Sequence, residues 1–173
     1  MAGSDEEVEE HVHQAREPFD KLIAGTMAII AATLAMVSVV ALHFVSEKLL
    51  NQQLSSDQWA YYQAKSIRRY SAQMARDFLT QQKAAEDVTG KYANDMARYD
   101  NDMKEIKEKA NEYEKERDRD GRRAEHLHAG EVFLEIAIVL SSLAILTKRK
   151  FWYITGTVFA VTGLVVAATA FAG

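Results

Sequence analysis

Six side chains close to two apolar runs are the candidates for chemistry in this sequence. His43 lies near the end of the first run and Glu135 near the start of the second. Glu125, His126, His128 and Glu131 cluster just ahead of that second run. Imidazole and carboxylate groups are common metal ligands, and Glu125-x-x-His128 has the i, i+3 spacing used in di-iron helical bundles. Two readings follow. In the structural one, His43 and Glu135 sit about one turn inside the same membrane face and share a hydrogen bond, because ionisable groups in lipid are costly and pair. In the sharper one, Glu125, His126, His128 and Glu131 add a carboxylate–imidazole metal site or a proton-handling group at that face. Glu10-His11-Val12-His13 repeats the motif but falls on the other side of the membrane, so one site cannot use both.

No other constellation of this kind occurs. The chain has no cysteine, which excludes disulfides, thiolate metal sites and cysteine nucleophiles. Its eight glycines are scattered, so there is no phosphate-cradling loop, and neither G-x-S-x-G nor H-E-x-x-H is present. The sequence therefore predicts a protein that is not an enzyme and needs no cofactor beyond, in the sharper reading, a bound metal ion.

Those six residues must be positioned by membrane helices. Leu22 to Val45 carries no acidic or basic side chain except His43, and Phe151 to Ala172 carries none. Val132 to Thr147 carries only Glu135 and becomes long enough if the helix enters from about Leu127. A bilayer core of about 30 Å needs roughly 20 apolar residues as helix. The expected fold is an all-α membrane protein: three transmembrane helices, with a long antiparallel coiled-coil hairpin between the first and second. Its parts are an acidic tail (1–17), a first span (18–46), a hairpin (47–130, turning near 87–91 at Gly90), a second span (131–147), a basic link (148–150) and a third span (151–173). Pro18 suits the first turn of the first helix, where a missing N–H costs little. Ala28 and Ala35, within a small-residue stripe from Ala24 to Ser38, are expected to pack on Gly156, Ala160, Gly163 and Ala167, in one subunit or between subunits.

The hairpin arms read differently. In the second, Tyr92, Met96, Tyr99, Met103, Ile106, Ala110 and Tyr113 step by four and three without a break, the heptad of a coiled-coil seam. In the first, Leu50, Leu54, Tyr61, Ala64, Ile67, Met74 and Phe78 recur at looser helical spacing, which puts Tyr61 in the core. Trp59 and Tyr62 then lie on other faces as contacts for a neighbouring subunit or partner, and Arg68 and Arg69 lie on a solvated face of the same interaction surface. Gly121 marks a kink near the membrane. From Glu47 to Glu125 there are 16 basic and 16 acidic residues, so nothing here is built for nucleic acid. The short link Lys148-Arg149-Lys150, followed by Phe151, Trp152 and Tyr153, reads as cytoplasmic. That places the N-terminus inside and the hairpin outside.

The stretch Ser56-Asp57-Gln58-Trp59-Ala60-Tyr61-Tyr62-Gln63-Ala64-Lys65-Ser66-Ile67 resembles a bacterial family of small membrane proteins catalogued as a domain of unknown function. The resemblance extends to His11-Val12-His13, the first apolar run, the charged helix from Lys91 to Arg119, His126-Leu127-His128 and the basic-aromatic link. It implies a protein of the bacterial cytoplasmic (inner) membrane and carries no activity with it. Together these features predict a membrane-anchored structural or interaction module. Its partners are the lipid bilayer and either further copies of itself or a larger membrane complex.

Overall fold

The computed structural model describes the backbone of residues 3–172 and the side chains of residues 18–172. The side chains of the acidic tail, including Glu10-His11-Val12-His13, lie outside that range. The described chain is all helical: α1 (Gly3–Gln81), α2 (Glu86–Thr147) and α3 (Lys150–Thr169). All three helices are long and apolar enough to cross a membrane. Pro18 lies inside α1 rather than in its first turn, because helical backbone begins at Gly3.

The chain divides into two units, Met1–Val45 with Arg122–Gly173, and Ser46–Gly121. In the first unit, parts of all three helices pack up, down and up. Phe19 meets Tyr153 edge to face, and Lys148 pairs with Asp20 at the same end. At the other end Phe44 lies against Phe171, with the Arg123 guanidinium over its ring. Two apolar clusters fill the interior, Ile30 with Leu134, Ala137 and Ala160, and Ala41 with Leu127, Ala167 and Ala170.

Small residues set the closest approach in this unit. Gly156, Ala160, Gly163 and Ala167 are the buried residues of α3. A Cβ on Gly163 would lie 2.8 Å from the Gly130 carbonyl oxygen, and one on Gly130 would lie 2.8 Å from the Ala167 Cβ. Backbones this close gain dispersion contacts that bulkier side chains forbid. The glycine face of α3 therefore packs on α2. It does not pack on Ala28 and Ala35 within the chain, for both are exposed, as are Ala24, Ala31 and Ser38. The α2 glycine at position 130 offers α3 a deeper groove than an alanine row can.

In the second unit, α1 and α2 run antiparallel, and the cross-helix bonds described below are all centred near Ala85. The break falls at residues 82–85, ahead of the expected turn near 87–91. Lys83 adopts a left-handed backbone (φ 57°), and the Ala84 N–H donates back to the Leu79 carbonyl, closing the last turn of α1. Glu86 and Asp87 then start α2, where acidic side chains suit the positive end of a helix. Gly90 is therefore an ordinary helical residue with open space where a Cβ would stand. Gly121 does not break α2 either. Its missing Cβ leaves room for the Lys48 side chain, whose Cε would lie 3.4 Å from it.

These two settings give opposite expectations for alanine. Gly90→Ala should stabilise the protein by about 1 kcal/mol, the helix-propensity gap between the residues. Gly163→Ala should destabilise it by about 1–3 kcal/mol through overpacking against backbone. Thermal unfolding in mild detergent, followed by circular dichroism, reads both. A loss at Gly90 would restore a turn there, and a neutral Gly163→Ala would refute the close α2–α3 contact.

Candidate functional site

The six sequence candidates near the apolar runs do not form one site. On a helix, successive residues turn by about 100°, so His126 points away from the side that carries Glu125 and His128. His128 Nδ1 lies 2.7 Å from Glu131 Oε2, one turn on, while His126 Nδ1 lies 3.2 Å from the Thr169 hydroxyl of α3. Glu125 is exposed. Among the described residues, no group of three or more histidine, aspartate or glutamate side chains is arranged to hold a metal ion.

The His43–Glu135 pair is not formed either. The buried face of α2 in this unit includes Ala124, Leu127, Leu134, Ala137 and Ala144. Glu135 follows Leu134 and so turns out of that face. His43 is two residues past the buried Ala41 and packs its ring against Phe44, with centroids 5.6 Å apart. Both His43 and Glu135 are exposed.

The specific chemistry lies instead between the two arms of the second unit. Trp59 Nε1 donates to Glu114 Oε1 at 2.8 Å, and Ser55 donates to the same oxygen at 3.4 Å. Asn51 donates to Asp120 and Arg117 to Gln52. Lys65 Nζ bonds Asp102 Oδ2 at 2.7 Å and lies 5.3 and 5.5 Å from the Tyr61 and Tyr99 ring centroids. Arg69 pairs with Asp100 and also reaches Gln73. Apart from Gln52, which is exposed, these rungs take their α1 groups from one row, Asn51, Ser55, Trp59, Lys65 and Arg69, with Tyr62 stacked edge-on to Trp59 at 5.7 Å.

On α2, Ile106 and Ala110 are buried, and Tyr92, Met96, Tyr99, Met103 and Tyr113 are half-buried. On α1 the phase differs from the one expected. Tyr61, the expected core residue, is 50 % exposed, whereas Trp59 and Tyr62, expected to face outward, are half-buried at the α1–α2 contact. Arg69 also turns inward, and Arg68 stays exposed. The cause is chemical. The α2 seam is flanked by Asp100, Asp102, Glu114 and Asp120, and only a polar α1 row gives those carboxylates donors. Hydrophobicity alone cannot find that row. Its signal is the run of Asn, Ser, Trp, Tyr, Lys and Arg at helical spacing, mirrored by acids across the turn.

Two open depressions border the contact. One is lined by Tyr62, Asp100, Met103, Lys104 and Lys107, the other by Gln58, Tyr61, Asp102, Glu105, Ile106 and Lys109. Neither gathers a nucleophile beside a base. The arrangement orients two helices.

The Asp102 carboxylate holds the Lys65 ammonium above its ordinary value of 10.5. A raised folded-state pKa means this contribution is complete below the unfolded lysine's pKa and fades as pH climbs through the folded one. Arginine keeps its charge throughout that range. The unfolding midpoint of the natural chain should therefore fall faster above about pH 10.5 than that of Lys65→Arg. Parallel curves would show that the pair does not link the arms.

No curated protein and no solved structure matches the chain. The model of the family described as Domain of unknown function (DUF4337) matches residues 19–173, the 56–67 stretch included, and the chain belongs to that family.

Proposed function

We propose that this chain is a non-enzymatic, membrane-anchored interaction module of the bacterial cytoplasmic membrane. It self-assembles, or docks on a larger membrane complex, through a coiled-coil hairpin formed by Ser46–Gly121. The anchor is the set of three helices long and apolar enough to cross a bilayer. The basic link with its aromatic neighbours favours an N-terminus inside and a hairpin outside.

One observation carries the reading. In the second unit the polar side of α1 is engaged with α2, and a stripe of large apolar residues on its other side is left uncovered. Ile67 is 65 %, Met74 74 % and Phe78 59 % exposed. Soluble surfaces rarely keep such residues in a continuous stripe unless something covers them. The exposed Ala24, Ala28, Ala31 and Ala35 of the first unit point the same way, since small residues in lipid favour helix contact.

Mass measurement of the protein extracted in mild detergent tests the proposal. The expected result is a defined multiple of the 19.4 kDa chain, or one reproducible larger complex. A chain that is monomeric in detergent and also uncrosslinked to any protein in intact membranes would refute it.

A further inference from the structure

We infer that the partner of the uncovered α1 face is the same face of a second copy, paired parallel and in register. The inference rests on the interaction-module reading and makes it specific.

The uncovered face has a frame of its own. Ser46, Leu50, Gln53, Asp57, Ala60, Ala64, Ile67, Ser71, Met74 and Phe78 step by four and three without interruption, and all ten are exposed. This is a second heptad, on the opposite side of α1 from the row that binds α2. Leu49, Tyr61 and Tyr70 fall at positions flanking that seam and are also exposed. All seven exposed large hydrophobics on α1 in this unit, from Leu49 to Phe78, thus belong to one seam or its flanks.

The occupant follows from what the second unit lacks elsewhere. Between Glu86 and Gly121, Val88 is the sole exposed large hydrophobic residue among those described. The outer side of α2 therefore cannot cover a neighbour's α1, and a head-to-tail contact has no apolar second half. The same patch on both copies does, and that is the isologous contact of a two-fold dimer.

Direction follows from composition along the seam. The half from Ala60 to Phe78 is apolar but for Ser71, and the half from Ser46 to Asp57 is polar but for Leu50. Full-length antiparallel pairing would set one half against the other, whereas parallel pairing matches like with like. The flanking residues Gln63 and Arg68, and Tyr70 and Ala75, oppose each other across a parallel pair with no like charges. The seam with its flanks offers on the order of 600 Å² of apolar surface per copy, against about 800 Å² per partner in a stable interface. Confinement of both copies to one bilayer raises their effective concentration and offsets the difference. Asp57 would face its twin and hold the pairing below its limit.

The chain lacks cysteine, so single cysteines report the contact directly. Ile67→Cys and Met74→Cys, in the full chain in native membranes, should shift under mild oxidation from 19.4 kDa to twice that mass. Glu108→Cys, on the exposed side of α2, should not. Asp57→Leu should increase the doubled fraction severalfold. Ile67→Lys should abolish it while leaving helix content unchanged, because Ile67 takes no part in the α1–α2 contact. Absent cross-links, equal cross-links at all three positions, or capture of a different protein by Ile67→Cys would overturn the inference. If the protein still sized as an oligomer or complex, the interaction-module reading would survive that result, and a monomer would remove both.

Discussion

The organisation of the second unit depends on which side of α1 its partner helix can accept. The seam of α2 is tyrosine and methionine, flanked by aspartate and glutamate. A carboxylate beside a helix contact loses water and needs a donor in return. Asn51, Ser55, Trp59, Lys65 and Arg69 are those donors. Ion pairs at this level of exposure add little net stability, and their consequence here is rotational. Once they form, α1 has a single orientation on α2, and its second, apolar row turns outward. A helix carrying only the apolar row could have hidden it inside. This helix carries two rows, and the carboxylates choose between them.

The first unit obeys a different rule. Gly130 and Gly163 bring the backbones of α2 and α3 so close that an added Cβ on either would meet an atom at 2.8 Å. No donor–acceptor code is needed, because the fit is one of volume. The outcome for α1 is nonetheless parallel. Its alanine row is left exposed, since α2 and α3 use their glycines on each other. In each unit, taken by itself, a face of α1 is left exposed: its alanine row in the first and its apolar seam in the second.

Much of the fold was legible from composition. The three apolar helices follow from two runs of bilayer length and a shorter third run that is extended upstream, and the inward residues of α2 follow from a strict heptad. The buried row of α3 follows from glycine and alanine at helical spacing. What escaped was phase and partner. By hydrophobicity alone, Leu50, Leu54, Tyr61 and Ile67 form one loose row, because that measure merges the seam with its flank and gives no weight to the polar row. Gly90 drew the turn toward itself, although Lys83 makes it in a left-handed conformation that non-glycine residues seldom adopt. The six candidate residues near the apolar runs stay apart for a related reason. Glu125, His126 and Glu135 are close in sequence, but successive positions on a helix diverge, and of the six candidates only His128 and Glu131 are in contact with each other among the described residues.

The proposed arrangement is a helical pair, anchored by apolar helices, that presents α1 outside the cytoplasmic membrane. The most direct measurement uses the tip, where Ala85 stands between α1 and α2. In a chain without cysteine, Ala85→Cys is a unique label site. Cells with a permeabilised outer membrane would be treated with a membrane-impermeant maleimide. Labelling of Ala85→Cys while the inner membrane is intact is the expected result. Protection until that membrane is lysed would contradict it, placing the pair in the cytoplasm.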